Sequence, residues 1–177
     1  MSRSLVVRNL LEFVAIVVLW RLALLVISQS ALSQFVLTIL LLLTTWSKTL
    51  FFGGENLKQL WTASVENMAY HRFMTLMLVN MSQIILSFGF DYHCLHRIND
   101  QSFSSVPEKL YGAELVFEFV YFSILNFTFF GYGDMTPATV PAKLLTVTEV
   151  VLAFVTVIFL LSDFVSLRES LTSRPPK

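Results

Sequence analysis

Seven consecutive residues, Thr128-Phe129-Phe130-Gly131-Tyr132-Gly133-Asp134, lie between two apolar stretches and set two glycines around one aromatic ring. This pattern suits a backbone whose carbonyl oxygens point at a common axis and take the place of water around a cation. Aiming successive carbonyls one way needs backbone angles that most residues avoid and glycine adopts cheaply. Gly131 and Gly133 supply that freedom, and Tyr132 between them turns its ring outward to brace the strand. No catalytic constellation competes with this stretch. There is no Gly-rich phosphate loop with a following Lys, no spaced metal motif and no nucleophile beside a base, so the chain is not expected to be an enzyme. His93, Cys94 and His96 are ligand-like, but they are loop neighbours without a further cluster.

The elements that position such a backbone must sit in a bilayer. The chain has 177 residues, of which 55% are hydrophobic and 14% charged, and its mean hydropathy is +0.70, which excludes an ordinary soluble domain. Its formal net charge of zero argues against nucleic acid as a partner. Cys94 is the only cysteine, so a disulfide within the chain is impossible and only one between two copies stays open. Arg3 and Arg8 before an apolar run imitate a signal peptide. Arg21 interrupts that run and a second apolar segment follows at once, which favours a retained membrane helix.

Four segments are long enough to cross a membrane: approximately Leu10 to Ile27, Leu32 to Phe52, Phe73 to Phe90 and Ala142 to Phe164. Only Ser28-Gln29-Ser30 separates the first two, predicting a tight antiparallel hairpin, with one continuous helix as the alternative since no Gly or Pro marks the turn. Gly53-Gly54 is expected to end the second span. Leu57, Leu60, Trp61, Val65 and Met68 then share one helical face, as in a helix lying in the membrane surface or a connector packed on the protein. Asp91 to Gly112 reads as an exposed polar loop containing Pro107, and Glu114 to Phe127 as an apolar helix too short to span. Glu114 and Glu118 stand in its first turns, where the helix dipole favours carboxylates.

Charge sets the expected orientation. With both termini cytoplasmic, Arg3, Arg8, Lys48, Lys58, Arg72, Arg168, Arg174 and Lys177 lie inside, against Arg97, Lys109 and Lys143 outside. Asp91, Asp100, Glu108, Glu114, Glu118 and Asp134 fall on the outer side, where they concentrate cations. Arg21 stands without an arginine ladder, so no voltage sensor is expected; it snorkels outward or pairs with a neighbouring helix. Arg8 and Glu12 are spaced to pair, and Asn80, Gln83 and Ser87 form a stripe suited to hydrogen bonds between helices. Asn80-Met81-Ser82 and Asn126-Phe127-Thr128 imitate glycosylation sites inside membrane segments. The tail from 165 to 177 is too short for a ligand-sensing domain.

From about Phe73 to Phe164 the chain resembles the pore domain of potassium channels, especially the small bacterial type. The resemblance is carried by Tyr121-Phe122-Ser123, by Gly131-Tyr132-Gly133-Asp134-Met135-Thr136-Pro137, and by Leu144-Leu145 through Glu149-Val150-Val151. It implies an all-α integral membrane protein of four transmembrane helices, with a re-entrant pore helix and a selectivity-filter loop. Four copies would assemble as a homotetramer in the lipid bilayer, each giving one filter strand. It further implies K⁺ held by backbone carbonyls at Thr128, Phe129, Phe130, Gly131 and Tyr132, with Gly133 and Asp134 completing the loop and no other cofactor. Its cavity-facing positions transfer to Phe154, Val157, Leu161 and Val165, all apolar, which favours closure by dewetting; a helix-packing face is the alternative. Glu149 and Asp163 point away from that face.

Two positions at the filter and its pore helix depart from the family. Phe129 replaces the threonine whose hydroxyl completes the innermost ion site, so its ring either crowds the inner mouth or folds back on the pore helix. Leu125 stands where some relatives carry a carboxylate for the filter aspartate, leaving Asp134 to another partner or to solvent. The hinge glycine common in relatives is replaced around Ala153. The expected organisation is a two-helix hairpin at 1–52, a connector at 53–72, a pore domain at 73–164 and a cytoplasmic tail at 165–177. The expected function is passive, K⁺-selective conduction in the cell membrane. A weakly selective pore or a non-conducting subunit is one alternative. A small transporter or interaction protein using Glu12, Glu149 and Asp163 is the other.

Overall fold

The computed structural model describes residues 3–65, 70–107, 110–131 and 133–172, with side chains at 7–58, 73–107, 110–131 and 133–161. Among the described residues five α-helices carry the chain: α1 (Arg3–Gln29), α2 (Gln34–Val65), α3 (Tyr70–Ile98), α4 (Ala113–Phe127) and α5 (Val140–Thr172). Four of them are long and apolar enough to cross a membrane, over Val7–Gln29, Gln34–Lys58, Phe73–Ile98 and Val140–Leu161. The fourth helix in sequence, α4, has only 15 residues, about 22 Å at 1.5 Å per residue, and stops part-way. The expected architecture of four spans and one re-entrant helix is therefore present.

A break at 30–33 separates α1 from α2 although neither Gly nor Pro occurs there. Serines make it: Ser30 N–H closes α1 on Val26 O at 2.9 Å, and Ser33 Oγ caps α2 by accepting from Val36 N–H at 3.4 Å. One continuous helix is thus excluded. The hairpin is not tight either, because α1 packs on α3 while α2 packs on both α5 and α3, which leaves a groove of about 510 Å³ between α1 and α2.

Gly53-Gly54 does not end the second span; α2 runs through both glycines to Val65. Glycine permits a break without compelling one, and Phe52 and Asn56 on either side are buried and hold the helix in line. The 53–72 connector is therefore in part the last third of α2. Leu57 is exposed, while the side chains of Leu60, Trp61 and Val65, and all of Glu66 and Met68, lie outside the described residues.

The third span also runs past its expected end. Asp91 to Ile98 is helical and mostly buried rather than an exposed loop. Asp91 and His93 have partners on neighbouring helices, whereas His96 Nδ1 is buried with none among the described residues. Asp91 accepts from Lys48 Nζ at 2.6 and 2.7 Å and from Thr45 Oγ1 at 2.8 Å. His93 Nδ1 accepts from Trp20 Nε1 at 3.4 Å. Lys48 and Asp91 consequently sit at one depth inside the bundle, not on opposite sides of the membrane. Cys94 is 1% exposed, which removes it from reach of a second copy.

The remaining polar residues stitch helices together. Asn56 Nδ2 donates to Thr156 Oγ1 at 2.7 Å, and Asn80 donates to Asn56, joining α2, α3 and α5. Gln83 Nε2 donates to Glu12 Oε2 at 3.0 Å and to Asn9 O at 3.3 Å, joining α1 to α3. Ser87, third in that expected stripe, is buried with its hydroxyl unpartnered. Arg8 lies 3.4 Å from Glu12 as its spacing predicts, and also 3.4 Å from Glu55. The Arg21 guanidinium lies over the Trp20 ring at 5.7 Å, and among the described residues no ion pair joins it to another helix.

Candidate ion filter and its scaffold

The short helix α4 is fixed by aromatic packing. Tyr92 meets Phe122 and Phe103 edge-on, with ring centroids 4.9 and 5.7 Å apart, and Phe103 in turn meets Phe119 at 5.3 Å. Gly89 lets α3 and α4 touch backbone to backbone: a Cβ there would stand 2.8 Å from Val120 Cα. A two-residue antiparallel pairing, Phe103 with Pro137 and Ser104 with Thr136, ties the segment after the glycine-spaced loop to the stretch that follows α3. The loop from Thr128 to Thr136 is thereby held at both ends.

The loop begins as a helix C-cap. Phe130 N–H reaches Leu125 O at 3.0 Å and Phe129 N–H reaches Asn126 O at 3.2 Å, the paired bonds of a Schellman motif. That motif places its penultimate residue in the left-handed region, where glycine is usual. Here the residue is Phe129, at φ 57°. Thr128 turns its hydroxyl back onto Ile124 O at 2.7 Å. Gly131 is also left-handed, at φ 89°, so left-handed residues alternate along the first part of the loop. Alternation of this kind turns successive carbonyls toward one side of the strand.

The structure settles where the unusual phenylalanine goes. Phe129 does not fold back on α4; its ring meets Phe154 of α5 edge-on at 6.4 Å. Phe130 is 86% exposed, and Gly131, Gly133 and Asp134 are exposed as well. Tyr132 lies outside the described residues. A Cβ on Gly133 would stand 3.1 Å from Leu125 Cδ1, so Leu125 fills the space beneath the second glycine. Asp134 has no hydrogen-bond partner among the described residues and lines a small cavity with Glu118 and Tyr121.

Of the expected cavity positions, Phe154 and Leu161 are exposed and Val157 is half-buried; the side chain of Val165 lies outside the described residues, as does that of Asp163. The opposite stripe of α5, Ala142, Leu145, Glu149, Ala153 and Thr156, has exposures of 0%. Ala153, where relatives bend, stays helical and fully packed. Among the described residues no group of His, Cys, Asp or Glu converges as a metal site.

Sequence reasoning missed one group. Glu149, expected to point away from the cavity or to serve a transporter, is fully buried in a network: Tyr92 Oη donates to its Oε2 at 2.6 Å and Ser123 donates to its Oε1. Ser123 Oγ also reaches Ile85 O at 2.9 Å. The available signal was an acid inside an apolar span, aligned with Ala142, Leu145 and Ala153 on the packed stripe, with a lone serine on the short helix to meet it.

Comparison with known proteins agrees with this arrangement. No curated protein and no solved structure matches the chain significantly. A family model described as ion channel matches residues 73–169, from the start of the third span to the far part of α5 and more than half of the chain. The chain is thus an integral membrane protein that belongs to the ion channel family.

Proposed function

We propose that four copies of this chain assemble around a shared axis and conduct K⁺ passively, in the cell membrane and with both termini cytoplasmic. The observation that carries this reading is the left-handed geometry at Phe129 and Gly131, placed at the C-terminal end of α4. There the partial negative charge of the helix end favours a cation, and the alternating backbone lets the carbonyls of Thr128 to Tyr132 replace its hydration shell. One protomer leaves this loop and the Phe154–Leu161 face of α5 open, as a subunit that contributes a quarter of a ring would. Lys48 leaves the expected count of inside charges, yet seven bases against three still favour cytoplasmic termini.

A second reading is favoured by the ring contact between Phe129 and Phe154. Four such pairs would form an apolar collar at the inner end of the filter, where a threonine hydroxyl is missing, giving a weakly selective or non-conducting pore. A transporter using Glu12 and Glu149 is less supported, since both carboxyls are engaged by neighbouring helices.

Rb⁺ and Na⁺ uptake into liposomes holding the purified protein, with native mass measured in parallel, separates the readings. Tetramers whose Rb⁺ uptake exceeds Na⁺ uptake and vanishes in Gly131→Ala are expected. Equal uptake of both ions supports the weakly selective pore. A monomer or dimer indifferent to the mutation contradicts the channel.

A further inference from the structure

We propose that Glu149 is the positioning residue of the filter. From α5 it fixes α4, through Ser123, at the height and rotation that the Thr128–Gly131 backbone needs to face the ion. The inference rests on the filter reading above and names the group that sets that site's selectivity.

A carboxyl group in a membrane-spanning helix is costly unless it is bonded inside the protein. Glu149 is 0% exposed and both its oxygens are occupied, one by Tyr92 of α3 and the other by Ser123 of α4. Ser123 is itself held between this carboxyl and the carbonyl of Ile85 on α3. A single point of α4 is therefore clamped between its two long neighbours.

That point is coupled to the filter. Asn126 lies one turn further on the same face, buried, its Nδ2 without a hydrogen-bond partner among the described residues. The backbone oxygen of Asn126 accepts from Phe129 N–H at 3.2 Å, the bond that ends the helix and starts the filter. Displacing α4 at Ser123 thus displaces the first left-handed residue of the loop. Nothing substitutes at the far end, where Leu125 packs beneath Gly133 and Asp134 has no partner among the described residues.

The test compares Glu149→Leu, Glu149→Gln, Tyr92→Phe and Ser123→Ala with wild type, by native mass and by the ratio of Rb⁺ to Na⁺ uptake in liposomes. Leucine keeps the volume and removes both acceptors; the tetramer is expected to survive with its Rb⁺/Na⁺ ratio lowered about tenfold, the scale of losing hydrogen bonds to a carboxylate. Glutamine keeps the geometry, since its oxygen accepts from Tyr92 and its nitrogen donates to Ser123, and should retain most of the ratio. Tyr92→Phe and Ser123→Ala should each lower it several-fold, and combined with Glu149→Leu should add little, because all three act through one carboxyl.

A purely structural role would lower yield or thermal stability and leave the ratio unmoved. Tetramers of Glu149→Leu with the wild-type ratio would overturn the proposal while leaving the filter reading intact. If Glu149→Leu fails to assemble, Tyr92→Phe and Ser123→Ala decide by the same ratio. A wild-type protein without discrimination would overturn both readings.

Discussion

Phe129 does two jobs that oppose each other. Its left-handed backbone costs a non-glycine residue about 1–2 kcal/mol, whereas its ring against Phe154 returns about 0.5–1.5 kcal/mol. Phe129→Gly should therefore leave thermal stability within about 1 kcal/mol of wild type and, in the pore proposed above, open the inner end of the filter. Liposome uptake of Rb⁺ should rise several-fold, and an unchanged or lower rate would refute the collar. Gly131 differs, since a Cβ there meets nothing within 4 Å but its φ is 89°. Gly131→Ala should assemble normally and lose conduction, because the strain falls on the carbonyl direction and not on packing. The sequence disclosed both glycines through their spacing. It could not disclose the ring direction of Phe129, which depends on the C-cap geometry and on Phe154, 25 positions further along the chain.

Among the elements, α2 and α3 show what a composition reading misses. Gly53-Gly54 and the polar run from Asp91 look like boundaries, yet both are helical because neighbouring helices supply the contacts that make helix the better choice. Gly53→Ala gives the cleanest check. A Cβ there meets nothing within 4 Å, so within a continuous helix it should stabilise the protein by about 0.5–1 kcal/mol; a lower melting temperature would show that the span breaks at the glycines. The Lys48–Asp91 pair joins the same two helices, at 2.6 Å with Asp91 only 5% exposed. Lys48→Met alone leaves a buried carboxylate uncompensated and should cost about 3–5 kcal/mol, much of it recovered in Lys48→Met/Asp91→Leu. A double-mutant cycle read by thermal unfolding measures this, and additive losses would show that the two charges do not act as a pair. Pairs this distant in sequence leave no local pattern, which is why Lys48 was read as cytoplasmic and Asp91 as exposed.

For the whole molecule, the division of labour follows from which faces are closed. The apolar lengths, the short α4 and the glycine-spaced loop were legible because they rest on period and local backbone chemistry. The route of the N-terminal helices was not, since α2 reaches past α3 to α5 through Asn56 and Thr156. The second helix therefore contacts α5 itself. What remains open in one protomer, the glycine-spaced loop and the Phe154–Leu161 face, is the surface that the proposed fourfold assembly would close. The most direct test of the central claim is the reversal potential of currents from wild-type protein in a planar bilayer, with KCl on one side and NaCl on the other. The account predicts a reversal potential displaced toward the K⁺ equilibrium value and no current in Gly131→Ala. Current that reverses at zero under this gradient, or that persists unchanged in the mutant, would contradict it.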